Sequence, residues 1–357
     1  MPAPVQNAFD DMYMLEALAL AKKGWGRTGV NPLVGAVVTN QLRVVGRGFH
    51  RKLGEAHAET VALLEAGSRA QDGTLYVNLE PCCICGRTPP CVDLIKKTGI
   101  ARVVIGMIDP NPSVNGGGAE CLRQAGIRVD IPVMEQASMN VNRWYVKYIT
   151  QKMPYIILKI ATSREGRISN FPKKYITSEP ALRFVHSLRS QVDAIMVGIN
   201  TVHRDDPFLT DRLVGRSNPA RVVLDPRLRI APDAHFFEPD ARRIIVTGVN
   251  SDQSRMKDLA SQGVEFIVMP ADYFLLDTVF KKLAELEIGS IMVEGGGLVF
   301  SEILGKKMFD ELYVFVAPVS GGDGANMFEE ISHIVNLSDV QAIQTGEDLL
   351  YHVYRNN

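Results

Sequence analysis

His57-Ala58-Glu59, followed by Pro81-Cys82 and then Cys91, constrains this chain more than any other feature. One imidazole, one carboxylate and two thiols in a short region demand a fold that brings them to a single point. Zinc takes borderline nitrogen and sulfur ligands, and three protein ligands leave a fourth position for water. The metal lowers the pKa of that water to about 7. A carboxylate that is not itself a ligand can then carry protons between the water and a leaving group.

The order His-x-Glu … Pro-Cys is that of zinc-dependent base deaminases. The sequence therefore points to removal of an amino group from a nitrogen heterocycle. A structural zinc knuckle would need four protein ligands, typically from two paired clusters. Only one cluster is present, and Glu59 has no task in a structural site. Cys82 with Cys85 satisfies the general Pro-Cys-x-x-Cys spacing, and Cys82 with Cys91 is the alternative. Between them Pro89 and Pro90 end an extended segment and set up a helix near Cys91, which favours Cys91.

The chain has 357 residues, enough for two domains, and 46% hydrophobic residues, ample for ordinary cores. A net charge of −1, with no basic run or arginine stripe, gives no electrostatic footprint for nucleic acid. No apolar stretch reaches the roughly 20 residues of a membrane span. Met1 to Tyr13 carries Asp10 and Asp11 and lacks an apolar signal core. Four of the five cysteines fall between 82 and 91, and such a cluster in an unsecreted protein reads as metal binding rather than disulfides. A cytoplasmic protein acting on a small molecule, with no nucleic acid or membrane partner, is expected; a homo-oligomer is compatible with this reading.

Residues 1–149 alternate helical and strand patterns. Tyr13 to Lys23, Ala58 to Ala66 and Val92 to Thr98 read as helices. Leu33 to Val38, Val44 to His50, Thr74 to Leu79 and Arg102 to Ile108 read as short apolar strands. His57 and Glu59 then fall at one helix N-terminus and Cys91 at another, where partial positive charge favours thiolates. Gly116-Gly117-Gly118 reads as a plain loop. A second series, 150–357, opens with the strand Tyr155 to Ile160. A helix follows at Pro180 to Gln191, then strands at Ala194 to Val197, Arg221 to Leu224, Ile244 to Val246 and Glu265 to Val268. The helix Asp277 to Leu286, the strand Ser290 to Val293 and the helix Leu298 to Leu304 lead to Glu311 to Val316, read as a closing strand.

Two further groups carry chemistry. The segment Val293-Glu294-Gly295-Gly296-Gly297 lies between a strand and a helix, a geometry that suits an anionic pyrophosphate although it lacks the G-x-G-x-x-G spacing. Arg189 and Arg212, taken alone, read as solvated surface charges, although guanidinium forks can also hold phosphate or ribose. Arg255, beyond the strand ending near Val246, is a candidate for a cofactor 2′-phosphate.

Asn31-Pro32-x-Val34-Gly35-Ala36-Val37, His57-Ala58-Glu59, Glu80-Pro81-Cys82, Gly86-Arg87-Thr88-Pro89-Pro90-Cys91 and Asp109-Pro110-Asn111-Pro112 resemble the bifunctional riboflavin-biosynthesis deaminase–reductases. In the second half, Lys159-Ile160-Ala161-x-Ser163, Ile176-Thr177-Ser178, Asp206-Pro207-x-Leu209-Thr210 and Glu294-Gly295-Gly296 are similar to the same family. The resemblance covers nearly the whole chain. It implies an α/β fold: an N-terminal cytidine-deaminase-like α/β/α layered domain and a C-terminal dihydrofolate-reductase-like domain. It implies one Zn²⁺ on His57, Cys82 and Cys91, with Glu59 as proton shuttle, and Asn31 and His50 near the substrate.

The implied substrate is a diaminopyrimidinone bearing a phosphoribosylamino group, deaminated and then reduced by NADPH to the ribityl compound. Cofactor contacts carry over to Ala161, Tyr175, Thr201, Asp205, Gly296, Gly297, Leu298, Val299, Phe300, Ser301 and Glu302. Substrate contacts carry over to Lys173, Arg189, Leu209, Arg212 and Glu294. Cys83-Ile84-Cys85 departs from the Ser-His-His common in the family, Lys173 from a serine, and Tyr175 from a tryptophan. The competing expectation is a zinc deaminase of another heterocycle whose second domain is not catalytic.

Overall fold

A computed structural model describes residues 8–84, 89–172, 175–215, 218–271, 273–335 and 340–355. The chain divides into two compact units, Met1–Lys152 and Met153–Asn357.

In the first unit α1 (Ala8–Ala21) precedes β1 (Gly35–Asn40), β2 (Arg43–Phe49), α2 (Ala58–Ala66), β3 (Thr74–Val77), α3 (Cys91–Lys97) and β4 (Arg102–Ile105). Then come α4 (Gly117–Gln124), β5 (Arg128–Asp130) and α5 (Glu135–Gln151). The five strands lie in the order β2-β1-β3-β4-β5, with β1 antiparallel to both neighbours and the rest parallel. Side chains alternate across the sheet as a period of two requires. Ala36, Val38, Leu75, Val77, Val103 and Ile105 face Ala62, Leu63, Val92, Ile95 and Leu122 of α2, α3 and α4. Val37, Tyr76 and Val104 face Tyr13, Met14, Ala17 and Leu18 of α1. The result is the expected α/β/α sandwich. The helix read from Tyr13 begins at Ala8, because Phe9 and Met12 are exposed and hide the start of its apolar face.

Gly48 fixes where α2 sits. A Cβ there would fall 2.2 Å from Ala58 O, so only glycine lets the helix start lie this close to β2. That approach holds His57 at its place above the sheet.

The second unit contains β6 (Tyr155–Thr162), α6 (Glu179–Arg189), β7 (Ala194–Gly198), α7 (Ile199–Asp205), β8 (Ala220–Leu224), β9 (Arg243–Gly248), α8 (Gln253–Ser261), β10 (Val264–Met269) and α9 (Leu276–Glu285). It continues with β11 (Ser290–Gly295), α10 (Gly297–Gly305), β12 (Glu311–Val316), α11 (Met327–Ser332), β13 (Gln341–Thr345) and β14 (Asp348–Tyr354). Nine strands form one sheet, β10-β9-β8-β7-β11-β6-β12-β14-β13. The strands from β10 to β12 run parallel, and their continuous Val/Ile/Leu runs reflect burial on both faces.

Glu311–Val316 is not the last strand. β14 pairs antiparallel with it and β13 covers β14. Four of the five residues of β13 are exposed and the fifth is half-buried, so this edge strand lacks the apolar signal that marks the others. Among the described residues no helix is long and apolar enough to cross a membrane.

Candidate active sites

His57 precedes α2 in an extended conformation, and Glu59 occupies the first turn. Cys91 is the first residue of α3, after Pro90. The two helix starts converge with the loop carrying Cys82. His57 Nδ1 lies 3.2 Å from Cys91 Sγ and 3.5 Å from Cys82 Sγ, and Cys91 N–H donates to Cys82 Sγ at 3.3 Å. The three ligand atoms lie within 4.8 Å of one another. Two thiols and an imidazole at this spacing fit zinc. Cys85 lies outside the described residues. Cys83 packs with the hydrophobic core beside Gly117 and is not part of the cluster.

The electrostatics of the site follow from burial and shared protons. A shared hydrogen bond lowers the Cys82 thiol and pushes Cys91 up. The hydrogen bond with Cys82 raises His57. Glu59 is 3% exposed, and burial raises its carboxyl above the usual range. A carboxyl so placed can hold a proton and release it.

His57, Glu59 and Cys82 open into a cavity of about 330 Å³ that Asn31, His50, Ile84, Asn111 and Tyr148 also line. Asn31 Nδ2 lies 3.2 Å from His50 Nε2, whose Nδ1 lies 3.2 Å from Ala56 O. His50 is thereby held as a neutral ring, and burial lowers its pKa.

Sequence reasoning missed the support beneath this floor. Glu80 Oε2 accepts from Gly116 N–H at 2.8 Å and Asp109 N–H at 3.2 Å, and Oε1 from Ala119 N–H at 2.9 Å. Gly116-Gly117-Gly118 is accordingly no plain loop. Gly116 has φ 86 and caps α4, and a Cβ on Gly118 would fall 2.0 Å from Pro81 O. The triplet lets α4 donate its first N–H groups to the carboxylate just before the zinc loop. Tyr145 OH donates to Asp109 Oδ1 at 2.7 Å and closes the same network.

In the second unit a cavity of about 610 Å³ is lined by residues of β6, α6, α7 and the β11–α10 turn. It brings together Ala161, Tyr175, Thr201, Asp205, Gly296, Gly297 and Phe300 with Arg189, Leu209, Arg212 and Glu294. Arg189 grips Glu294 with two parallel bonds, Nε to Oε1 and Nη2 to Oε2, both 2.7 Å. Burial alone would raise Glu294, but Arg189 outweighs it and holds the carboxyl below its usual range.

Thr201 Oγ1 is buried without a hydrogen-bond partner, and Gly295 and Gly296 leave room for it, since Cβ atoms there would fall at 2.8 and 3.1 Å. An unpaired hydroxyl beside a bare glycine turn at the start of α10 fits a phosphate-bearing dinucleotide.

Four expected cofactor residues do not line this cavity. Leu298 is 80% exposed, Val299 packs against the core, Ser301 donates to Glu330 at 2.7 Å and Glu302 pairs with Lys306 at 2.7 Å. The helical period turns these side chains away after Gly297. Lys173 lies outside the described residues. Arg255 does not line this cavity; its guanidinium donates to Leu228 O at 2.9 Å and to Ile230 O. Lys159 was within reach of sequence, as the one cation in the apolar run Tyr155–Thr162. It lines the cavity, where burial lowers its pKa against the pull of Glu294.

Residues 154–351 match the family model described as RibD C-terminal domain, and residues 7–107 that of the cytidine and deoxycytidylate deaminase zinc-binding region. A riboflavin biosynthesis protein RibD from Aquifex aeolicus is 41% identical over 96% of this chain and 97% of its own. The chain belongs to the RibD family. It is a bifunctional deaminase and reductase of riboflavin biosynthesis, with a zinc-binding deaminase region followed by the family's reductase domain. Solved RibD structures agree throughout their length. RibD of Acinetobacter baumannii superposes with a TM-score of 0.87 at 32% identity, covering 98% of this chain and 99% of that one. A Thermotoga maritima diaminohydroxyphosphoribosylaminopyrimidine deaminase/5-amino-6-(5-phosphoribosylamino)uracil reductase does so at 0.84 and 34%, with the same coverage.

Proposed function

We propose that residues 1–149 deaminate 2,5-diamino-6-(5-phosphoribosylamino)pyrimidin-4-one and that residues 150–357 reduce the resulting aminouracil with NADPH. The observation that carries the first step is the convergence of His57, Cys82 and Cys91 within 4.8 Å at the cavity where Glu59 is buried. One zinc ion per chain, held by those three residues, supplies Lewis acidity that makes water nucleophilic near neutral pH. Glu59 takes the proton of the attacking water and delivers it to the departing amine. Asn31 and His50, locked to each other, position the heterocycle.

For the second step NADPH supplies the hydride. Thr201, Asp205 and the Gly296–Gly297 turn hold the cofactor. Arg189, Glu294, Arg212 and Leu209 hold the phosphorylated pentose, with Lys159 beside them. Opening the ribosyl ring leaves an oxygen that must take up a proton as the hydride is transferred. Lys173 is proposed as a further phosphate contact.

The test is a coupled assay with the diaminopyrimidinone phosphate, following ammonia release and NADPH loss separately. Both are expected from the one chain, with ammonia release removed by zinc chelation. Ammonia release without NADPH oxidation would overturn the second half of the reading.

A further inference from the structure

His186 lies on α6, one turn before Arg189, and lines the 610 Å³ cavity while only 3% exposed. Its Nδ1 is buried without a hydrogen-bond partner and lies 3.8 Å from Asp211 Oδ1. The Asp211 side chain is fully buried, and its Oδ1 also accepts from Val214 N–H at 2.9 Å. A lone pair on Nδ1 would face this carboxylate repulsively, so the favoured tautomer carries its proton there. Nε2 is then a hydrogen-bond acceptor. Among the described residues nothing in the protein donates to it.

The charged groups around the ring are Arg189, Arg212, Asp211 and Glu294. Burial, then the two guanidinium groups, push the imidazole down to about 4, so it stays neutral near pH 7. A neutral acceptor between cations does not suit a phosphate, which brings only acceptors. It suits a hydroxyl.

Building on the reductase reading, we propose that His186 is a substrate-binding residue that accepts at Nε2 a hydrogen bond from a hydroxyl of the pentose chain, with Asp211 orienting the ring. Phosphate would be left to the arginines, and His186 would set where the sugar carbon lies against the cofactor.

The experiment measures steady-state reduction of the phosphoribosylaminouracil by the full chain and three variants. His186→Leu, which removes the acceptor, is expected to lower kcat/KM for that substrate about tenfold or more. His186→Asn, whose amide reaches only the Nδ1 position, is expected to behave like the leucine variant. His186→Gln, whose amide oxygen can reach the Nε2 position, is expected to retain most of the activity. The KM for NADPH and the rate of ammonia release should not move in any of them.

Wild-type kcat/KM in His186→Leu would overturn the proposal. So would equal losses in the leucine and glutamine variants with a raised KM for NADPH, which would mark a structural role. A wild-type chain that oxidises no NADPH would instead overturn the reductase reading, and the proposal with it.

Discussion

Ala119 N–H donates to Glu80 Oε1 at 2.9 Å, across 39 residues of sequence. Together with the bonds from Gly116 and Asp109 it makes Glu80 the point where α4 and the loop after β4 are tied to the strand end that leads to Cys82. Removing the carboxylate would leave three buried or partly buried N–H groups without their acceptor. Glu80→Ala is expected to cost about 2–4 kcal/mol, since an unsatisfied buried donor loses more than the bond itself. Thermal unfolding should fall by roughly 5–10 °C, and bound zinc, measured by metal analysis, should fall with it. An unchanged melting temperature would show that α4 holds its place without Glu80.

Glu59 lies beside the proposed metal site and is not one of the three residues, His57, Cys82 and Cys91, that would hold the ion. Glu59→Gln keeps the shape and removes the proton shuttle. Zinc content should stay at the wild-type level while ammonia release falls by about 10²–10⁴-fold. Reduction of the aminouracil supplied directly should proceed as in the parent. Normal deaminase turnover in this variant would exclude Glu59 from the proton path.

The sequence made the clustering of His57, Cys82 and Cys91 legible because helix starts and proline stops are local signals. His57, Glu59, Pro90 and Cys91 each sit where their own neighbours place them. What supports them was not legible. Glu80 finds its donors on α4, and nothing in Glu80-Pro81-Cys82 names that partner. Gly116-Gly117-Gly118 looks like any flexible turn until Pro81 is seen against it. β13 escaped because an edge strand needs no apolar face. Of the run Leu298 to Glu302 only Phe300 lines the cavity, because a helix presents only part of its surface to any one cavity.

Arg189 and Glu294 are both largely buried, with side-chain exposures of 13% and 8%. Breaking such a pair leaves a charge without its partner. Glu294→Ala is expected to cost about 3–5 kcal/mol and to abolish NADPH oxidation. The double variant Arg189→Met, Glu294→Leu should be less destabilised than the sum of its single changes, because the stranded charge is gone. Glu294 is held below its usual pKa, so its contribution is present above the unfolded carboxyl value and is lost as pH falls through the folded one. Urea unfolding of the four chains separates these outcomes.

His186 gives a pH dependence in a different window. Its folded pKa is about 4 against 6.5 for a free ring, so the unfolded chain binds the proton first. The stability it contributes is complete above about 6.5 and is lost as pH falls toward 4. After allowance for screening this is on the order of 1–2 kcal/mol. Chemical unfolding of His186→Gln should lack that portion of the acid slope. Identical slopes in the two proteins would mean that folding leaves the pKa of the ring unshifted.

Asp348, buried in β14, accepts from Ser178 N–H at 2.8 Å and Ser178 Oγ–H at 2.5 Å. Ser178 is the residue before α6, the helix that carries His186 and Arg189, and Ile176 and Thr177 before it line the cavity. The hairpin of β13 and β14 therefore clamps the entry to α6 rather than merely closing the sheet. Gly346, with φ 65, allows the clamp: a Cβ there would fall 2.6 Å from Ser178 Oγ. Asp348→Ala should release this start. The KM for the aminouracil is expected to rise by about tenfold, with kcat changed far less and stability reduced by about 1–3 kcal/mol. Ammonia release should be unaffected. Losing kcat with KM unchanged would instead mean that the clamp serves the chemical step and not the positioning of α6.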